Sequence, residues 1–316
     1  MINATLPQLD ADVFLADGGM ETTLVFHDGY DLPDFAAFPL LDRADGRAAL
    51  ERYFAQYVAI AVRDRVGIVL DTPTWRASAD WGARQGYDLD ELRRLNCAAV
   101  ELLLDIRRRS QTATTPIVVS GAIGPRGDGY QVGALMSPQE GRTYHALQAR
   151  TFADAGADLV TALTMTYPAE AIGVTEAARG AGMPVVISFT VETDGSLPSG
   201  ESLQQAIEAV DAATDAYAAY YMVNCAHPTH FLDVFEAGSA WTARIGGIRA
   251  NASKMSHAEL DNAEQLDRGD PDELAAMYRD LRDLHPHIKV LGGCCGTDQH
   301  HIAAVSAACV SRTAPR

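Results

Sequence analysis

Three cysteines stand where a chain can gather thiolates around a soft metal ion. Cys225 closes the run YMVNC and is followed by AHP; Cys294 and Cys295 are adjacent in VLGGCCGT. Both runs are short, apolar and bounded by turn residues, so each reads as a strand carrying sulfur at its C-terminal end. Three thiolates on rigid strand ends leave one position of a tetrahedral zinc open, as in a catalytic rather than a closed structural site. Soft sulfur donors favour zinc over magnesium or calcium. The chemistry on offer is thiol activation. A free thiol, with a pKa of about 8.5, is mostly protonated at neutral pH, whereas a zinc-bound thiol is deprotonated. Such a thiolate remains nucleophilic enough to attack an electrophilic methyl group in line. The competing readings are core packing and, for the adjacent pair, a vicinal disulfide. Cys97 and Cys309 fall in helical patterns and read as packing residues.

The elements that must position these sulfurs repeat along the whole chain. Eight apolar or β-branched runs occur: Val13–Asp17, Ile68–Asp71, Ile117–Gly121, Asp158–Thr164, Pro184–Thr190, Tyr220–Cys225, Arg244–Ala250 and Lys289–Gly293. Between them lie stretches with apolar spacing of three and four, such as Leu50, Phe54, Tyr57, Val58, Ala61 and Val62. Ser137–Pro138 and Asp270–Pro271 are start signals for the third and seventh helices, and Gly156 and Gly182 are stop signals. Alternating strands and helices imply a parallel sheet with right-handed crossovers. Eight units close a single (β/α)8 TIM barrel, expected to fill residues 1–316 as one domain. An open doubly wound sheet ranks second, because no GxGxxG fingerprint follows the first strand. The longer connections Phe26–Arg43, Val191–Gly200 and Asn251–Gly269 all follow strands and belong on the C-terminal face, where barrel active sites are built. Strands six and eight are next-but-one neighbours in a closed barrel, so the three sulfurs converge over its mouth.

Composition excludes several partners. A net charge of −17 argues against nucleic acid, whose phosphates need clustered Lys and Arg. No apolar stretch approaches the ~20 residues that span a bilayer, and MINATLPQLDADVF does not read as a signal peptide. Five cysteines, an odd count, fit a reducing cytoplasm better than a disulfide framework.

Three sequence blocks carry a resemblance: LADGGMETTL at Leu15–Leu24, NCAHP at Asn224–Pro228 and GGCCGTDQHHI at Gly292–Ile302. SGAIGPRGDGY (Ser120–Tyr130) and VVISFTVETDGSLPSG (Val185–Gly200) add weaker support. With them the chain resembles the homocysteine S-methyltransferase family, zinc-dependent barrels that make methionine from homocysteine, from near the first strand to the last helix. The resemblance implies Zn2+ on Cys225, Cys294 and Cys295. It gives Asp17 the role of holding the substrate's amino group, and Gly18 and Gly19 that of admitting the ligand close to the backbone, or simply of forming a tight turn. Asn251 matches an asparagine that occupies the metal's open position before the thiol arrives, and Asn224 is expected to orient backbone near Cys225.

One position departs from the family pattern. Where many members carry an acid at the end of strand four, this chain reads LVTALTMTYP, with Thr164 or Thr166 in its place. A threonine cannot supply a charge-assisted hydrogen bond to an ammonium. Glu21 or Glu192 is the substitute, and the acceptor is homocysteine or a different thiol. Backbone amides of the strand-five loop or near Ser120–Gly121 are candidates for the acceptor's carboxylate. The family resemblance makes the partners a small-molecule thiol and a methyl donor. The chain's size is similar to that of relatives using a sulfonium donor, S-methylmethionine or S-adenosylmethionine, and the acidic segments Asp28–Asp34 and Glu192–Asp194 suit a cation. Trp75, Trp81, Tyr130 and Tyr167 are candidate walls for that cation. His227, His230, His300 and His301 crowd the motifs and offer a mixed Cys/His site as an alternative. A barrel that only holds zinc or senses redox state is the non-enzymatic alternative. Oligomeric state is open.

Overall fold

The computed structural model describes residues 6–235, 238–263 and 265–310, with the backbone alone for Asp261. Eight parallel strands run in chain order: β1 (Phe14–Ala16), β2 (Gly67–Asp71), β3 (Ile117–Ile123), β4 (Leu159–Met165), β5 (Val185–Phe189), β6 (Tyr220–Asn224), β7 (Ile245–Ala250) and β8 (Val290–Gly293). Each pairs with the next, and β8 returns to β1 through Phe14↔Val290 and Leu15↔Leu291, so the sheet closes as a barrel. The observed strands match the expected runs to within two residues at each end. Among the described residues no helix is long and apolar enough to cross a membrane.

Side chains alternate between the two faces of each strand. Outward residues such as Leu15, Ile68, Leu70, Val119, Val160 and Ile187 pack under the helices in the larger core. Inward residues Phe14, Val69, Val118, Leu159, Val186 and Val290 make a second, smaller apolar cluster that fills the barrel. Above it, toward the strands' C-terminal ends, the interior turns polar. Ser120 meets Thr161 there at 2.7 Å, and Ser188 donates to Asn224 at 2.6 Å. A dry lower plug under a polar layer gives the barrel mouth a rigid, hydrogen-bonded floor.

Helix ends follow local chemistry. Ser137 caps Pro138–Ala155 through a reciprocal box with Glu140, with Pro138 in the first turn, and Gly156 (φ 87°) ends that helix. Asp270 likewise caps Pro271–Leu284. Asp298 caps Gln299–Cys309, the helix that follows the Cys294–Cys295 turn.

The expected strand–helix alternation fails once. Between β6 and β7 the described residues form only three short 3-10 turns, at Pro228–His230, Leu232–Val234 and Thr242–Arg244. Pro228 and Gly238 interrupt the segment. Phe231, Phe235 and Trp241 do the covering instead, packed tilted and edge-to-face at ring centroid distances of 5.3 and 6.0 Å. They are buried in the same layer as the outward Tyr221 and Val223.

Asp298 also supports a stability prediction. Burial alone would raise its carboxyl, but hydrogen bonding to His301 and the charges of His301 and Arg268 hold it well below the usual carboxylate range. A depressed folded-state pKa contributes stability that is present above the unfolded value and lost as pH falls. Asp298→Ala is therefore expected to cost about 1–2 kcal/mol at neutral pH. In urea denaturation, the gap between wild type and variant should begin to narrow below about pH 4 and keep narrowing as the pH falls further.

Candidate active site and metal centre

The three sulfurs meet at the mouth of the barrel. Cys225 follows β6 directly, and Cys294 and Cys295 follow β8. One sulfur atom from each falls within 4.8 Å of the others, and among the described residues no histidine or carboxylate joins the group. Cys225 Sγ lies 3.5 Å from Cys295 Sγ. All five cysteines are unpaired, so the adjacent pair is not a vicinal disulfide.

Backbone geometry aims these thiols. Cys225 adopts a left-handed conformation (φ 56°), and so does the β-branched Thr164 (φ 61°), which L residues accept only at a cost. The Asn224 carboxamide holds this arrangement. Its Oδ1 accepts from Thr164 N–H (2.8 Å) and the Ser188 hydroxyl (2.6 Å), while Nδ2 donates to Thr164 Oγ1 (2.9 Å) and Cys294 Sγ (3.8 Å). Asn224 was expected to orient backbone near Cys225; it instead ties β4 and β5 to the sulfur of β8. The backbone of Cys225 is fixed by its own N–H, which donates to Arg249 O at 3.1 Å.

Hydrogen bonds link the three thiols. Bonds from Cys225 and Cys295, aided by the Arg249 charge, hold Cys294 well below the ordinary thiol range. The same bonding pushes Cys225 and Cys295 up. Tyr130, on the loop after β3, places its hydroxyl 3.0 Å from Cys225 Sγ and 3.6 Å from Cys295 Sγ. Its ring stacks on His257 at 4.1 Å, and His257 Nε2 lies 2.9 Å from Cys225 O.

These groups open into a cavity of about 890 Å³ lined by residues from most of the strand ends. Asp17, Gly18, Gly19, Glu21, Thr164 and Asn251 all line it together with the three cysteines. Gly18 and Gly19 are needed for the protein's own packing. A Cβ at Gly18 would fall 2.7 Å from the Tyr57 hydroxyl, and one at Gly19 would fall 2.6 Å from Cys294 O. Their smallness lets the turn after β1 lie against the turn after β8.

Asp17 is already engaged. Its carboxylate pairs with the Arg249 guanidinium and accepts from Tyr53 at 3.2 Å, while Arg249 also pairs with Asp71. All three charged groups are at least nine-tenths buried. Burial pushes the Asp17 carboxyl up to about 6 against the pull of Arg249. Burial opposes the Arg249 charge, but Asp17 and Asp71 together hold it firmly protonated. Neither Arg249 nor Asp71 was singled out from the sequence, although a charged residue inside an apolar strand run is the usual mark of a buried pair.

Several expected contributors lie elsewhere. Tyr167 is not on the cavity wall; its hydroxyl accepts from Met136 N–H at 3.0 Å. Thr166 is buried outside it, its carbonyl accepting from the Ser199 hydroxyl. Glu192 faces His257 at 3.3 Å and Asp194 accepts from Ser196, so neither acid of that loop lines the cavity, whereas Asp34 does. Ser120 and Gly121 are sealed within the strand layer below. His227 caps a 3-10 turn, His230 lies 3.0 Å from Lys254 O, and His300 and His301 begin the last helix, so no mixed Cys/His site forms. Trp75 and Trp81 do line the cavity, but the Arg76 guanidinium stacks on both rings, 4.0 and 3.6 Å from their centroids.

Fold and site together define a barrel enzyme whose reactive feature is a cluster of three thiols at the C-terminal face. The homocysteine S-methyltransferase family model matches residues 14–309. Homocysteine S-methyltransferase 1 of Arabidopsis thaliana is 22% identical over 311 residues, covering 92% of each chain. Its namesake from Brassica oleracea var. italica is also 22% identical, over 314 residues and 92% of each chain. Among solved structures, the oxidised form of the homocysteine methyltransferase MmuM from Escherichia coli aligns with a TM-score of 0.77 at 21% identity, covering 97% of this chain and 98% of that one. The metallated form of MmuM gives 0.76 at 19% identity, with 96% and 99% covered. The chain belongs to the homocysteine S-methyltransferase family and is a methyltransferase.

Removing the cation that two buried carboxylates share should be expensive. Arg249→Met is expected to lower stability by about 3–5 kcal/mol, because it leaves Asp17 and Asp71 buried without a partner. Chemical denaturation of the variant tests this; a loss under about 1 kcal/mol would mean that the cluster adds little to the fold.

Proposed function

We propose that this enzyme transfers a methyl group from a sulfonium donor, S-methylmethionine or S-adenosylmethionine, to the thiol of homocysteine, using zinc held by Cys225, Cys294 and Cys295. The observation that carries the reading is the open set of three sulfurs facing a substrate-sized cavity. Zn–S bonds of about 2.3 Å at a tetrahedral ion put sulfurs about 3.8 Å apart, which suits three donors lying within 4.8 Å of one another. When bound, zinc supplies a position at which the acceptor's thiol is deprotonated at neutral pH.

The chain's own residues do the rest. Asn224 and the left-handed turn at Cys225 hold the sulfurs in place before substrate arrives, so little reorganisation is needed on binding. Asn251, 2% exposed and lining the cavity, is the residue we assign to the fourth position in the resting state. Asp17, Glu21 and Thr164 line the part of the cavity that receives the acceptor's polar end, with Gly18 and Gly19 shaping the wall. The acceptor's sulfur attacks the methyl carbon, and the carbon–sulfur bond of the sulfonium breaks with its electron pair on the departing thioether. Seven carboxylates line the cavity against four guanidiniums, an excess that favours a cationic donor. Because Arg76 covers the tryptophan rings, this acidic lining, rather than Trp75 or Trp81, receives the sulfonium charge. The same balance, in a chain of net charge −17, fits small-molecule substrates and not nucleic acid. Unpaired thiols fit a reducing cytoplasm. Residues 1–316 are read as one catalytic unit.

A second reading keeps the chemistry but changes the thiol. It is favoured by Asp17, whose carboxylate is committed to Arg249 and Tyr53.

The test is mass-spectrometric detection of methionine from homocysteine and S-methylmethionine, with zinc-loaded and chelated protein side by side. Zinc-dependent methionine is expected. Cys225→Ser should retain far less zinc and lose at least about a thousandfold in rate, equivalent to about 4 kcal/mol of barrel-mouth chemistry. Full activity in Cys225→Ser would end the reading. Methylation of some other thiol, with homocysteine inert, would establish the second.

A further inference from the structure

Four arginines line the cavity, and three have a carboxylate within hydrogen-bonding distance: Arg84 with Asp34 at 2.9 Å, Arg126 with Asp80 at 2.7 Å, and Arg249 with Asp17 and Asp71. Arg76 differs. It is 5% exposed, yet its carboxylate neighbour is Asp128, half exposed and 3.7 Å away. Nη1 donates to Gly127 O at 2.9 Å, while Nε, itself buried, has no partner. The planar guanidinium is held between Trp75 and Trp81, so it cannot swing out to find one. A buried cation is ordinarily paired at close range. This one is fixed at a cavity wall with donor capacity in reserve.

Glu21 is its mirror image. It lies on the short helix Met20–Thr22 after β1, lines the same cavity and forms no ion pair among the described residues. The acids of the floor, Asp17 and Asp71, are bound to Arg249, and Asp267 accepts from Ser253 at 2.7 Å. Among the described ionisable groups lining the cavity, Glu21 has no ion pair and Arg76 only the long one to Asp128, and each lies in the field of the other.

We infer that Glu21 and Arg76 form a clamp for a zwitterion, Glu21 receiving the α-ammonium and Arg76 the α-carboxylate of an amino-acid thiol. The inference rests on the thiol-activation reading above and assigns the substrate's polar end to residues that stand in for the acid missing at Thr164. A guanidinium offers parallel N–H donors to a carboxylate, and a lone carboxylate accepts from an ammonium. Thr164 then serves the left-handed turn that Asn224 holds.

The experiment measures thiol binding separately from turnover. Protein loaded with Co2+ in place of zinc is titrated with homocysteine, with 3-aminopropanethiol, which lacks the carboxylate, and with 4-mercaptobutanoate, which lacks the ammonium. The sulfur-to-cobalt charge-transfer band reports binding. Arg76→Gln should weaken homocysteine and 4-mercaptobutanoate by about ten- to a hundredfold and leave 3-aminopropanethiol unchanged. Glu21→Gln should weaken homocysteine and 3-aminopropanethiol by a similar factor and spare 4-mercaptobutanoate. Arg76→Lys, which keeps the charge but not the planar fork, should fall between. In turnover with S-methylmethionine the same losses should appear in KM for homocysteine more than in kcat. If Glu21→Gln binds all three thiols as the wild type does, the clamp is wrong and the ammonium belongs elsewhere. Equal weakening of all three thiols by both variants would also overturn it, by showing general damage to the site. If no thiol perturbs the band in the wild-type protein, the thiol-activation reading falls and takes the clamp with it.

Discussion

A single guanidinium joins the strands on which the site is built. Arg249 rises from β7, pairs with Asp17 beyond β1 and Asp71 at the end of β2, and donates to Gly293 O on β8 at 3.2 Å. The β7 neighbours of this one side chain carry the thiols: Cys225 N–H donates to Arg249 O, and Cys294 N–H donates to Ala250 O. The charges cannot rearrange independently, because each is buried and any unpaired member would face a large desolvation penalty. Thiol placement at the mouth therefore inherits its precision from electrostatics in the layer beneath. The apolar plug below keeps water from that layer, which strengthens the interactions the layer depends on.

Much of this was legible in the chain. Eight β-branched runs with turn residues at their ends located the strands, since a strand buried on both faces must be apolar along its length. Cys225, Cys294 and Cys295 could be assigned to one mouth because strand order in a closed barrel follows chain order. What could not be read was pairing at a distance. Asp71 and Arg249 are 178 residues apart, and no local pattern says that they meet. Nor does spacing reveal that Arg76 covers both tryptophans, which turns two apparent cation walls into the cradle of a cation. The left-handed turns at Thr164 and Cys225 were equally silent. Glycine advertises that conformation and these residues do not; at Thr164 it is held by the Asn224 carboxamide from β6, and at Cys225 by the backbone bond to Arg249 O. The missing helix after β6 has a plainer cause. Pro228 and Gly238 break the segment, and three aromatic rings seal the gap where its described residues form no α-helix.

Charge is also divided by depth. At the floor, two acids share one arginine. At the rim, Arg84 and Arg126 are matched one to one with acids. Unmatched charge is confined to the walls between, the region a small zwitterion would occupy. A cavity neutralised everywhere would bind ligands by shape alone, and one unmatched everywhere would destabilise the barrel through self-repulsion. Partial matching leaves selectivity to a few side chains held on rigid elements.

The helix-free span after β6 bears on how the barrel breathes. A wall without a helix is where a closed sheet opens at least expense, as a local, sub-global excursion from the native state. Cys225 lies on one side of that seam, and Cys294 and Cys295 lie beyond β7 on the other. An ion held by all three thiols, as proposed above, would stitch the seam shut, and mass action would then add the free energy of binding to the local stability of the wall. Under the proposed metal binding, loading would raise the protease resistance of this wall. The panel of the cylinder without a described α-helix is the one that the proposed metal centre would staple.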